Sequence, residues 1–174
     1  MNYFELFEFP VSFFVDQAVL KSEYHKLSFE FHPDFHVAGS SYTEDQILLK
    51  STEINRAFQT LSNEDKRLAY VLELTHAMPE EGKAQIPQEF LMEMMDYNEQ
   101  LMELQFDPNE DAKTEFLNKL NELENSMYSE VEQDMKNFDI QDISADSLKK
   151  IAEFYLKKKY LLRLKQNLIN FAPQ

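Results

Sequence analysis

The chain has 174 residues, 43 % of them apolar, enough for one ordinary domain or two small ones with a core that needs no staples. Its formal charge of −15 disfavours nucleic acid and anionic membranes as partners, and the absence of cysteine excludes disulfides, thiol nucleophiles and thiolate metal ligands. Only two glycines are present, too few for many tight β-turns, so an all-α protein is expected. No apolar run approaches the roughly 20 residues of a membrane span. The acidic start MNYFELFEFP lacks a basic n-region, and a soluble, cytoplasmic protein is expected.

In chain order, Asp16 is a good N-cap for an amphipathic helix whose apolar residues recur at Leu20, Tyr24, Leu27 and Phe31. Pro33 disfavours the α conformation at His32 and removes a backbone donor, so this helix must stop at the run FHPDFH. Gly39, Ser40 and Ser41 continue a loop. Thr43 with Gln46 makes a capping box, and Ile47, Ser51, Ile54, Phe58 and Leu61 trace the inner face of the next helix. Ser62 with Asp65 reads as a weaker cap for a short helix ending near Ala77. The two long helices are expected to form an antiparallel hairpin.

The stretch MPEEGKAQIP, 78–87, has no periodic pattern and reads as a linker between domains at 1–77 and 88–174. Beyond it, Phe90, Met94, Tyr97, Leu101 and Leu104 form a narrow core stripe. Asp107-Pro108 ends that helix. A long one follows, with Phe116, Leu120, Leu123, Met127, Val131, Met135 and Phe138 facing inward. Ser144 caps a last helix, whose seam is read at Leu148, Tyr155, Leu162 and Ile169, giving a three-helix bundle. Charge is uneven: residues 77–148 hold 4 Lys/Arg against 19 Asp/Glu, while 149–174 hold 7 against 1. The basic last helix is therefore expected to pack on the acidic segment before it, with Lys157, Lys158 and Lys159 as a solvated face.

On the helix after the linker, Leu91, Met92, Met95 and Met102 lie off the core stripe, alongside Asp96, Glu99 and Glu103. Flexible methionines rimmed by carboxylates suit a protein-binding face. The run His32, Pro33 and Asp34 supports three readings: a docking loop, a turn that merely ends a helix, and a metal site made with His36 and His25. Pro33 breaks the helical spacing of His32 and His36, which counts against the metal and against the metal-dependent enzyme it would imply. The apolar stripes are too short for a structural coiled-coil rod.

The first domain resembles a J-domain: the aromatic start NYFELF, an amphipathic helix, the HPD loop, then INRAFQTLSNEDKRLAY at 54–70. With FLMEMMDYNEQL at 90–101 and two further helices, nearly the whole chain resembles the HscB family, J-type co-chaperones of iron–sulfur cluster assembly. That resemblance implies no enzyme activity, no catalytic residue and no cofactor. It implies stimulation of the ATPase of a DnaK/HscA-class chaperone and delivery to it of the IscU-like scaffold protein on which clusters are built. A general J-domain co-chaperone with a different client is the alternative. On the family's pattern His32, Pro33 and Asp34 dock the chaperone, with Lys21, His25 and Lys26 as the steering face. The resemblance likewise implies that Leu91, Met92, Met95, Asp96, Glu99, Glu103 and Tyr160 bind the scaffold. Relatives more often have glutamate and phenylalanine at 96 and 160. The chain also departs at Phe35, a position often basic in J-domains, and its basic stripe is thin, with Lys50 and Arg56 left to share the steering.

Overall fold

The computed structural model describes residues 1–35, 42–80 and 86–170; His36, the loop residues Gly39, Ser40 and Ser41, and the centre of the 78–87 linker lie outside them. The helices in order are α1 (Tyr3–Leu6), α2 (Gln17–Glu30), α3 (Glu44–Ser62), α4 (Glu64–Leu74), α5 (Gln88–Phe106), α6 (Glu110–Lys136) and α7 (Ala145–Asn170). A 3-10 turn spans Pro33–Phe35, and there is no strand among the described residues. None of the described helices is long and apolar enough to cross a membrane. The chain divides into two compact units, Met1–His76 with Phe138–Asp142, and Ala77–Asn137 with Ile143–Gln174.

In the first unit, capping sets where the helices begin. Asn2 accepts from the backbone of Phe4 and Glu5 while Glu5 reaches back to Asn2, a reciprocal box that fixes α1. Asp16 Oδ1 caps α2 through the N–H groups of Ala18 and Val19, at 2.9 and 3.0 Å. Thr43 and Gln46 form the expected box at α3. The cap of α4 is Asn63, which accepts from Lys66 at 2.9 Å; Ser62, the residue expected from the sequence, is still the last turn of α3. Asparagine directly before the first helical residue places its short amide nearer the orphan N–H groups than Ser62 can.

Helices α2 and α3 pack along their lengths, and α1 and α4 both lie on α3. Tyr24 stacks on Phe58 with ring centroids 4.1 Å apart and donates to Asn55, while Phe31 meets Lys50 and Tyr42. The end of α2 thus lies by the start of α3, an antiparallel hairpin. Phe4, Leu20, Ile54, Leu61 and Leu72 are fully buried around it. The buried Arg67 holds the corner: its guanidinium donates to the carbonyls of Phe13, at 2.8 Å, and Leu61. Removal from water pulls its pKa down, opposed by the charge of Glu64.

In the second unit α7 packs against both α6 and α5. Phe90, Met94 and Leu101 from α5, Phe116, Leu120, Met127, Val131 and Met135 from α6, and Ile151, Phe154, Leu161, Leu164 and Leu168 from α7 are buried. The core residues expected on α5 and α6 are largely those observed, except Phe138: α6 ends at Lys136, so Phe138 leaves its stripe and falls within the first unit. The seam expected on α7 is wrong. Leu162 and Ile169 are exposed and Leu148 and Tyr155 only half-covered, because the buried arc of α7 is set by two neighbours at once.

The expected charge pairing of α7 with α6 is realised at Glu124. Glu124 takes Lys165 at 2.5 Å and Lys158 at 3.6 Å. The lysine run is not one solvated face: Lys157 pairs with Glu153 and lies over the Phe90 ring, Lys158 reaches Glu124, and Lys159 alone is exposed, over Tyr155.

Candidate functional site

Two surfaces stand out, one on each unit. The first is the turn after α2. Phe31 closes the helix by donating to Leu27 at 2.9 Å, and Pro33 begins a 3-10 turn whose last N–H, Phe35, donates to His32 at 3.0 Å. The backbone N–H of Asp34 donates to His32 Nδ1 at 3.2 Å, and the imidazole thereby braces the turn. The Asp34 side chain is 84 % exposed, with His32 Nδ1 4.0 Å away. A carboxylate held out on a proline-pinned, hydrogen-bonded turn loses little freedom when it meets a cation.

Lys21 and His25 are exposed on the outer side of α2, and Lys26 is there too but bonds Glu23 at 2.5 Å. Lys50, the other steering candidate, sits over the Phe31 ring, 4.8 Å from its centroid, and Arg56 is exposed. The metal alternative involves His36, which lies outside the described residues. Among the described residues no group of three or more His, Asp or Glu side chains could hold a metal ion.

The second surface is the outer face of α5. With Phe90, Met94 and Leu101 buried, the helical period carries Leu91, Met92, Met95, Met102 and Phe106 to the flank and outer side, and all five are exposed. Asp96, Glu99 and Glu103 are exposed along one border of this stripe. Tyr160 is half-buried on α7, with its ring edge-on to Phe90 at 6.0 Å, so it stands at the seam where α5 leaves α7. The structure therefore brings Leu91, Met92, Met95, Asp96, Glu99 and Glu103 onto one helix face and sets Tyr160 at its edge by way of Phe90.

Sequence reasoning left out Phe106, which is 87 % exposed and extends the stripe by a turn. The signal was available: Phe106 follows Met95 and Met102 at spacings of eleven and four, but it stands beside the Asp107-Pro108 break and reads as helix end. Phe29 was also passed over. It lies on the outer side of α2 between His25 and Lys26, opposite the Leu20–Phe31 stripe.

Residues 2–70 match the family model described as the DnaJ domain, and residues 86–169 match the HSCB C-terminal oligomerisation domain. Across 170 residues the chain is 32 % identical to a co-chaperone protein HscB homolog of Psychromonas ingrahamii, covering 97 % of this chain and 95 % of that one. The chain belongs to the HscB co-chaperone family. Its HscB fold is close to two solved structures. The chaperone HscB from Vibrio cholerae aligns over 98 % of this chain and 96 % of its own, with TM-score 0.73 and 26 % identity. Human co-chaperone HscB aligns over 98 % and 81 %, with TM-score 0.79 and 27 % identity. As an HscB protein this is a J-domain co-chaperone, a partner to another machine rather than an enzyme in its own right.

Proposed function

We propose that this HscB protein stimulates the ATPase of a DnaK/HscA-class chaperone through His32, Pro33 and Asp34, and delivers to it an iron–sulfur scaffold protein held on the outer face of α5. The carrying observation is that one chain combines a proline-pinned turn presenting Asp34 with an exposed apolar stripe bordered by carboxylates. Neither surface has the form of a catalytic pocket; both have the form of contacts. Asp34 supplies a charge-assisted bond to a basic group of the chaperone, and His32 keeps the turn in shape. The co-chaperone performs no hydrolysis. It binds one conformation of the chaperone more tightly than the other and shifts that partner towards its hydrolysing state. On α5, Met92 and Met95 adapt to an apolar patch of the scaffold while Asp96, Glu99 and Glu103 set its orientation against basic groups. The proposal includes a cytoplasmic location, shared with these partners.

The test is single-turnover ATP hydrolysis by DnaK-class chaperones, with this protein and the scaffold added separately and together. Stimulation that requires Asp34 and rises further with scaffold supports both surfaces. Stimulation indifferent to the scaffold leaves a J-domain co-chaperone with another client. No stimulation of any such chaperone rejects the reading.

A further inference from the structure

The J-unit carries exposed aromatic surface beside the docking turn. Phe29, 66 % exposed, and Phe35, 58 % exposed, pack ring against ring with centroids 4.8 Å apart, and the His32 ring lies 5.0 Å from that of Phe35. Phe29 faces away from the α2–α3 core, on the side that carries Lys21, His25 and Lys26, and Phe35 directly follows Asp34. Two large rings held together in solvent contribute little to this fold. The cations nearby are few: between residues 17 and 35 there are two lysines, Lys21 and Lys26, against Glu23, Glu30 and Asp34, and Lys26 is paired to Glu23.

We propose that Phe29, Phe35 and His32 form an apolar shelf that receives the chaperone itself, on a surface where an apolar side chain lies next to the cation that takes Asp34. This rests on the docking role proposed for Asp34. The occupant follows from continuity and charge: Phe35 directly follows Asp34, so a surface bonded to Asp34 lies beside the shelf, and α2, with two lysines against two glutamates, carries no net charge to steer it towards an acidic patch. Docking is therefore set by desolvation of the rings together with one ion pair, and by shape more than by long-range field. Salt screens the field of exposed charges but leaves apolar burial in place.

The experiment titrates the full-length protein and variants into single-turnover ATP hydrolysis by the chaperone, at ~50 mM and ~500 mM salt, a span over which the Debye length falls about three-fold. Phe29→Ala and Phe35→Ala are each expected to raise the half-stimulating concentration about ten-fold, the scale of one large apolar side chain losing its burial. Phe35→Leu retains most of the effect, and the wild type moves less than about three-fold with salt. Both phenylalanines are exposed, so circular dichroism and melting should be unchanged. Wild-type behaviour of both alanine variants overturns the shelf, as does a Phe35→Lys protein that outperforms the wild type at low salt. If Asp34→Asn abolishes stimulation while the alanine variants remain active, the shelf fails and the docking loop stands; absence of stimulation by the wild type removes both. A concentration-dependent dimer in sedimentation, lost in Phe35→Ala, assigns the shelf to a second copy and also overturns it.

Discussion

Replacing Met92 and Met95 together by alanine isolates the apolar contribution of α5 to partner binding. In the free protein these side chains are 62 % and 70 % exposed, so most of their surface is available for burial on a partner. Full burial of a methionine is worth roughly 1.5–3 kcal/mol relative to exposure. Scaled by the exposed fraction and less the β-carbon that alanine keeps, the pair should contribute about 2–3 kcal/mol, or roughly a 30- to 150-fold rise in Kd. The fold should not suffer, because neither side chain enters the core and alanine is the better helix former. Calorimetric titration of the scaffold protein into the wild type and the double variant measures the loss directly, with thermal melting as the control on folding. A Kd within two-fold of wild type, in a protein that melts normally, would falsify the assignment of this face.

Asp34→Asn should abolish chaperone stimulation while circular dichroism and melting stay as in the wild type; surviving stimulation in a single-turnover assay rejects the carboxylate as the docking group. Arg67→Met should lower stability by about 2–3 kcal/mol, since two buried carbonyls lose a charged donor; a chemical denaturation midpoint equal to wild type contradicts the corner role of Arg67. Burial raises the pKa of Tyr70, and also of Tyr97, above the usual value of 10.0. For an acid whose folded pKa is raised, the stabilising share is complete below the unfolded value and is lost as pH rises through the folded one. Stability should therefore hold through neutral pH and fall above about pH 10. Tyrosinate absorbance followed with pH checks this: Tyr70→Phe should remove a late-titrating phenol, and loss of an early one would reverse the sign.

Local chemistry was the most readable part of the sequence. Pro33 ends α2, the Thr43–Gln46 box starts α3, and Asp107-Pro108 separates α5 from α6, all through interactions within a few residues of chain. The same holds for the core stripe of α5, because that helix packs on its neighbours along one side. The seam of α7 was not readable. Leu148, Tyr155, Leu162 and Ile169 keep a perfect seven-residue spacing, yet Ile151, Phe154, Leu161, Leu164 and Leu168 are the buried set. Spacing alone cannot decide between two apolar lines on a helix with two partners; the choice depends on where α5 and α6 lie, a property of the whole unit. On α5 the residues that stand exposed on one face were legible, whereas the exposure of Phe29 and Phe106 was not. Their exposure depends on tertiary packing at the end of α2 and at the break after α5.

The outer face of α5 is made from residues that the interior of the unit does not use. Met92, Met95, Met102 and Phe106 stand mostly in solvent on the helix whose Phe90, Met94 and Leu101 are buried. On the role proposed for this face, changes that retune recognition and changes that threaten folding fall on separate positions. A lineage can drift in what it carries without first acquiring compensating mutations in the interior. A single helix with two independent sides is in this sense an evolvable component: one side answers to the protein's own chain, the other to somebody else's.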